Sequence, residues 1–406
     1  MFREFTLLFI LTGQVYLYRR FRRFLTGYDR VPRWIEAAVL PVFILFNLPL
    51  AVLYFYFWKL TAAPEWAVTV LMPFFAWHLA TLFLYIVLGS AGIIGKAGRL
   101  VLKLLQRHPV INQRIVSMRH SERFQQFDRS RRGFLRKSAM GLSVYSFAGA
   151  AAGIAGEDDL DIIRTSAVIR GLPSAFKGFT IGVMSDIHSS VFMNRDDMLR
   201  YVRRMNGLGA DLLVVTGDMV NSQTDEVYPF AEAFSELRAP YGVYGCLGNH
   251  DFFTKDVERV AKEVDGCGVR LLRNDAADVV KDGAHLALLG VDDIGRNTDP
   301  NRYLDAAVSA ARAGVPRILL CHKPYFLPDA SARNIDLMLS GHTHGGQIVF
   351  GTVDRTPISL AALASKYVAG WYEHGGTRLY VNKGIGSVGV PFRINCPPEL
   401  TLITLT

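Results

Sequence analysis

Two apolar runs, Ala37 to Trp58 and Trp66 to Ile94, constrain this chain more than anything else in it. Both exceed the roughly 20 residues that a helix needs to cross the hydrocarbon core of a bilayer. A segment in lipid must satisfy its own backbone polar groups, so both runs are expected to be helices. A shorter uncharged run, Phe5 to Tyr18, precedes them, and a weaker Ala/Gly-rich one, Ser138 to Gly156, follows. The expectation is an all-α transmembrane region of about three spans over residues 1–95.

Charge gives that region an orientation. The linker Arg19 to Glu36 carries six arginines and the stretch Gly95 to Lys137 twelve Lys/Arg against two acids, whereas the short loop Lys59 to Glu65 has one lysine. By the positive-inside tendency both basic linkers face the cytoplasm, and a crossing at Ser138 to Gly156 then places the rest of the chain outside. The segment "SRRGFLRKSA", Ser130 to Ala139, resembles the twin-arginine export signal of bacteria, although it lies behind apolar segments instead of opening the chain. That resemblance implies the twin-arginine translocation machinery as a partner. The plainer reading makes Arg131, Arg132, Arg136 and Lys137 a juxtamembrane anchor. Small residues around Ala148 to Gly156 are spaced as a signal peptidase requires, so release after Ala155 is a second possible fate. Residues 96–156 are accordingly expected to form a basic linker plus signal or anchor segment, with the lipid bilayer as a partner. The expected location is the bacterial inner membrane, multi-pass, with residues 157–406 extracytoplasmic.

The basic excess belongs only to this first part. Before Gly156 there are 20 Lys/Arg against six Asp/Glu, and from there on 25 against 30. An acidic second part repels phosphate backbones, which argues against nucleic acid as a partner. Its four cysteines, Cys246, Cys267, Cys321 and Cys396, contain no C-x-x-C pair and read as core residues or free thiols.

From about Phe179 short β-rich runs alternate with helical patterns: "FTIGVMS", "DLLVVT", "YGVYGCL", "HLALLGV", "RILLC", "IDLMLS", "RLYVN" and "LTLIT" as strands, with helices such as "DDMLRYVRRMN" and "KDVERVAKEV" between them. This order predicts an α/β fold. In such folds chemistry sits beyond the carboxyl ends of the strands. What stands there has one theme: Asp186 and His188, then Gly217 and Asp218, then Asn249, His250 and Asp251, then His322, then Gly341, His342 and His344. Five of the seven histidines after Gly156 lie at these ends, while His285 and His374 are expected to be structural and Asp292 and Asp293 to close a strand. Taken singly, Asp218 is a turn carboxylate, Asn249 and His250 a helix cap, and His322 a core histidine. Together, carboxylate, imidazole and amide donors suit manganese, iron, zinc or cobalt better than calcium or a structural zinc. In extended chain, residues i and i+2 point the same way about 6.6 Å apart. His342 and His344 are therefore expected to serve two different ions, held about 3.5–4 Å apart as in two-metal hydrolases. The glycines Gly341, Gly345 and Gly346 are expected to allow the turn and a close approach of substrate.

The ordered elements D-x-H, G-D, G-N-H-D, H and G-H-x-H resemble the calcineurin-like metallophosphoesterase family from about Thr180 to the C-terminus. The resemblance implies a sandwich of two mixed β-sheets flanked by helices. It also implies a centre of two divalent ions (Mn2+, Zn2+ or Fe2+) in which Asp186, His188 and His344 bind one, Asn249, His322 and His342 bind the other, and Asp218 bridges them. A metal-bridging hydroxide would be the nucleophile and His250 the proton donor, with Asp251 orienting its ring.

The loops "DIHSS" and "GDMVNS" depart from the protein-phosphatase version of the signature and look like the bacterial membrane-anchored phosphodiesterase subgroup, including enzymes similar to UDP-2,3-diacylglucosamine pyrophosphohydrolases of lipid A synthesis. The implied substrate is a phosphodiester or lipid-linked diphosphate. The alternatives are a phosphomonoesterase or protein phosphatase, and a non-catalytic metal-binding module on the same fold. With no charge in their apolar cores, the spans are read as an anchor and not as an ion path.

Overall fold

The structure is a computed structural model that describes residues 2–26, 32–56, 65–155, 160–295, 298–353, 356–359, 361–363, 365–388 and 392–406. The chain divides into a helical unit and an α/β unit. The helical unit comprises α1 (Phe2–Leu25), α2 (Arg33–Tyr56), α3 (Glu65–Leu105), α4 (Pro109–His120) and α5 (Glu122–Ala155). Among the described residues two helices are long and apolar enough to cross a membrane, through Arg33–Leu50 of α2 and Val70–Leu105 of α3. The expected third span at Phe5 to Tyr18 is not among them. Its helix begins at Phe2 and runs on through Arg19, Arg20, Arg22 and Arg23, so its uncharged stretch is too short.

α1 is joined to the apolar helices by polar contacts: Gln14 Nε2 donates to Thr81 Oγ1 at 2.7 Å, and Trp77 Nε1 donates to Gln14 Oε1 at 3.2 Å. The end of α3, α4 and α5 account for most of the basic stretch after Gly95. The twin-arginine-like segment lies within α5. Of the short loop Lys59 to Glu65 all but Glu65 lies outside the described residues, as do Gly156 and part of the linker Arg19 to Glu36.

The α/β unit runs, in chain order, β1 (Asp161–Ala167), β2 (Thr180–Met184), α6 (Arg195–Asn206), β3 (Leu212–Thr216), α7 (Val227–Phe234), β4 (Val243–Cys246), α8 (Asn249–Phe253), α9 (Val257–Gly266), β5 (Val269–Leu271), β6 (Asp275–Lys281), β7 (Ala284–Gly290), α10 (Asn301–Ala310), β8 (Arg317–Leu320), α11 (Leu327–Ser331), β9 (Leu337–Ser340), β10 (Val349–Val353), β11 (Thr356–Ser359), β12 (Gly370–His374), β13 (Thr377–Val381) and β14 (Glu399–Leu405). Two six-stranded sheets result, β1-β14-β2-β3-β4-β5 and β12-β13-β9-β8-β7-β6, with β10 and β11 as a separate hairpin. Both sheets are mixed. β2 to β5 are parallel with β14 antiparallel to β2, and β7, β8, β9 and β13 are parallel with β6 and β12 antiparallel at the edges.

Alternation along the central strands assigns each face its partner. Ile181, Val183, Leu212 and Val214 of the first sheet pack on Leu286, Leu288, Ile318, Leu320, Leu337 and Leu339 of the second. The opposite faces of β2 and β3, Met184, Leu213 and Val215, meet Met198, Val202, Phe230, Phe234, Val260 and Val264 of α6, α7 and α9. Leu289, Leu319 and Met338 meet Leu304 and Ala307 of α10 and Leu327 and Ala330 of α11. The layers are thus helix, sheet, sheet, helix. α6 starts where Asn194 accepts hydrogen bonds from the N–H groups of Asp196 and Asp197 and Asp197 closes the capping box. The strand run being parallel, the carboxyl ends of β2, β3 and β4 open on one rim, and those of β8 and β9 do the same in the second sheet.

Candidate metal centre

The chain leaves these strands in an unusual conformation. Asp186 and His188 after β2, Asp218 after β3, and His342 and His344 after β9 all have positive φ, at 50°, 50°, 54°, 74° and 51°. Extended backbone was the expected reason why i and i+2 residues share a direction, and that reason is corrected here. The chain turns left-handed at each donor, and His344 opens a short 3-10 turn, His344–Gly346. Asp and His are, with Asn, the non-glycine residues that accept this region most readily.

Backbone contacts between the loops hold the turns. Asp186 N donates to Gly217 O at 3.0 Å, His188 N to Asp218 O at 3.0 Å, and Gly341 N to His322 O at 3.0 Å. His342 N donates to both carboxylate oxygens of Asp186 at 3.0 Å. Gly341 serves this approach and not that of a substrate, because a Cβ there would collide with the side chains of Ser185 and Asp186. At Gly345, with φ of 61°, a Cβ would come within 2.6 Å of Cys396 Sγ and 2.7 Å of Lys383 Cγ.

Three groups of donors converge: Asp186, His188 and His344; His188, Asp218 and His250; and Asp218, His322 and His342, each with ligand atoms within 4.8 Å of one another. Asp218 is common to two of them. Nε2 of His188 lies 3.1 Å from Nε2 of His344, 3.6 Å from Asp218 Oδ2, and His344 Nε2 lies 3.3 Å from Asp186 Oδ1. His322 Nε2 faces Asp218 Oδ2 at 3.0 Å. His188 Nδ1, His322 Nε2 and Asn249 Oδ1 are buried and without hydrogen-bond partners. Such atoms carry a desolvation cost of about 1–3 kcal/mol each unless something else meets them.

Electrostatics favours the ligand form of three of the rings. Burial pushes His188, His342 and His344 down to about 3, which leaves them neutral with free lone pairs. For His322 burial also acts downward, but Asp218 outweighs it and pushes the ring up to about 10. Burial alone would raise Asp218, and the neighbouring His322 instead holds it well below the usual carboxylate range. Orphaned donors, neutral imidazoles and two buried carboxylates together fit divalent cations.

Second contacts fix the ring orientations. Nδ1 of His322 meets Thr216 O at 2.7 Å, Nδ1 of His344 meets Gly386 O at 3.2 Å, and Nδ1 of His250 meets Asn221 O at 2.5 Å. Asp251 was expected to orient the ring of His250, but Asn221 O takes that place. Its fully buried carboxylate accepts the N–H groups of Gly248, Asp218, Met219 and Val220 at 2.8, 3.0, 2.9 and 3.1 Å. It ties the loop after β3 to the loop after β4.

Sequence reasoning missed two further supports. Glu226 accepts the N–H groups of Asn221, Ser222 and Gln223, shaping the loop whose carbonyl holds His250. The buried guanidinium of Arg393 donates to the carbonyls of Lys383, Gly384 and Gly386, the last of which orients His344. Neither follows a strand or carries a recognisable pattern. His285 is paired with Asp278 at 2.7 Å and His374 is exposed at the end of β12. Asp292 pairs with Arg273, and Asp293 with Lys323, the residue after His322.

Comparison with known proteins agrees with this geometry. Residues 179–346 match the family model described as calcineurin-like phosphoesterase. A metallophosphoesterase of Aquifex aeolicus is 31% identical over 235 residues, 56% of this chain and 86% of that protein. The metallophosphoesterase YkuE of Bacillus subtilis is 30% identical over 239 residues, 58% of this chain and 81% of that protein. The chain belongs to the calcineurin-like metallophosphoesterase family. A relative in Danio rerio, named a transmembrane protein with metallophosphoesterase domain, is 31% identical over 260 residues, 60% of this chain and 57% of that one. The chain therefore spans a little over half the length of that relative.

Proposed function

We propose that the α/β unit is a dinuclear metal-dependent phosphoesterase and that α2 and α3 hold it at a membrane. The observation that carries the reading is the convergence of Asp186, His188, Asp218, His322, His342 and His344 on one rim, with Asn249 Oδ1 buried there and unpartnered. In this proposal Asp186, His188 and His344 hold one divalent ion, Asn249, His322 and His342 the other, and Asp218 both. Bound there, two such ions supply Lewis acidity and neutralise the phosphoryl oxygens of an in-line displacement.

The chain's own residues do the rest. Asn221 O takes the proton-bearing Nδ1 of His250, so Nε2 is the atom left to deliver a proton to the departing oxygen. Asp251 keeps Asp218 and Asn249 in register by binding the backbone of both loops. The rings of His188 and His250 meet edge to face with centroids 4.6 Å apart, which places the acid beside the donor groups.

The substrate we propose is a lipid- or envelope-linked phosphodiester or diphosphate. Its support is the presence of two apolar helices in the same chain. The charge asymmetry around those helices supports an extracytoplasmic site, with the twin-arginine-like segment as its export element. The test is joint measurement of bound metal and of bis(4-nitrophenyl) phosphate hydrolysis on the full chain loaded with Mn2+ or Zn2+. Two equivalents of metal and metal-dependent hydrolysis are expected, with both reduced in Asp218→Asn. A chain that takes up fewer than two equivalents, or an Asp218→Asn variant with unchanged stoichiometry and rate, refutes the reading.

A further inference from the structure

We infer that Phe253 is a specificity-determining residue of this centre, selecting phosphoesters whose leaving group is apolar. The inference rests on the phosphoesterase reading and deepens it by naming the chemistry of the leaving group. Its basis is where a solvent-exposed aromatic ring stands. His250 and Phe253 are three residues apart on α8 and therefore on one face of it. Their ring centroids are 4.9 Å apart at 55°. His250 belongs to the donor group with His188 and Asp218, while Phe253 is 63% exposed. The pair thus runs from the buried donors to open solvent.

A lone exposed apolar side chain is ordinary and needs no explanation. This one touches the ring of His250, so in the proposed reaction a group leaving on the oxygen that His250 protonates would lie near the Phe253 ring. The backbone that carries it is held in place. The first turn of α8 is anchored by the buried carboxylate of Asp251, and Thr254 Oγ1 closes the last by donating to Asp251 O at 2.7 Å. A phenyl ring with only two side-chain torsions loses little freedom when it binds, which makes it an effective apolar contact. Tyr325 puts a second aromatic ring at the donors, at right angles to His342 with centroids 5.5 Å apart. A polar or charged leaving group would have to give up water against this surface, whereas an alkyl or aryl group would gain by covering it. A short alkyl tail lying on a phenyl face is worth on the order of tenfold in affinity.

Two pairs of ligands test this on the full chain. The first pair is the phenyl and 4-butylphenyl diesters of methyl phosphate, whose phenols are of nearly equal acidity, scored by kcat/KM in Mn2+. The second is phenylphosphonate and 4-butylphenylphosphonate, which contain no ester bond, scored by equilibrium dialysis. The expected result is a preference of about tenfold for the butyl compound in both assays. It should fall towards one in Phe253→Ser and persist in Phe253→Leu. Ratios are unaffected by the fraction of folded protein, so a merely structural role does not move them. A wild-type ratio of one, or a ratio that Phe253→Ser leaves intact, overturns the role of Phe253 alone. Absence of hydrolysis of both diesters overturns the phosphoesterase reading and this inference with it.

Discussion

Asp251 offers the sharpest test of how the centre is held together. Its Oδ1 accepts Met219 N and Val220 N, and its Oδ2 accepts Gly248 N and Asp218 N. Asp251→Asn keeps the volume and replaces one of those oxygens by an amino group. Whichever way the amide lies, two buried N–H groups then face a donor. Each unsatisfied group costs about 1–3 kcal/mol, so the junction of the two loops should weaken by about 2–6 kcal/mol. Because 1.4 kcal/mol is a factor of ten, local opening should become roughly thirtyfold easier or more. Hydrogen exchange reads this directly in peptides covering residues 216–221 and 247–252. Those amides should lose protection in the variant while the buried strand β7 keeps it. Equal protection of both peptides in the variant and the parent would mean that the carboxylate does not organise the site.

The glycine at 341 gives a second perturbation. Gly341→Ala drives a Cβ into Ser185 and Asp186, an overpacking worth about 1–3 kcal/mol, and it should weaken binding of the ion proposed for Asp186, His188 and His344 more than that of the other; equal loss at both in stepwise metal titration counts against the proposed assignment. The third concerns acid. The folded pKa values of His188, His342 and His344, about 3, lie below the ordinary 6.5, so the folded state binds fewer protons. Their contribution to stability is therefore present above 6.5 and lost as pH falls towards 3. His322, raised to about 10, acts oppositely, contributing below 6.5 and losing that contribution as pH rises through 10. Melting temperatures taken in chelator should fall between pH 6.5 and 4, and a flat profile over that window would refute the neutral-imidazole argument.

Sequence patterning made the central architecture legible for a physical reason. β3, β8 and β9 are buried on both faces, so "LLVVT", "RILL" and "LMLS" read as unbroken apolar runs. β1 alternates between half-buried and exposed residues and β5 is three residues long, and neither pattern stands out from its flanks. The donors were legible because they follow legible strands. Their supports were not, since Glu226 and Arg393 act on backbone groups, to which any sequence position offers the same partners. The extent of α1 was not legible for another reason: a 14-residue apolar run reads alike whether its helix stops at the last apolar residue or continues through four arginines.

The backbone of the donors carries a further argument. Asp186, His188, Asp218, His342 and His344 all sit in the left-handed region. For an L-residue that conformation costs about 1–2 kcal/mol, so five positions cost on the order of 5–10 kcal/mol, comparable with the net stability of a domain. Such strain persists only where surrounding contacts over-determine it. Here they do: Asp186 is fixed by Gly217 O, His342 N and Gly386 N, and Asp218 by His188 N, His250 N and the carboxylate of Asp251. Glycine would relieve the strain at any of the five and would remove a donor atom each time. That side chains stand there in spite of the backbone cost argues that the donor atoms are what those positions supply, and that the two sheets are the scaffold stiff enough to hold them.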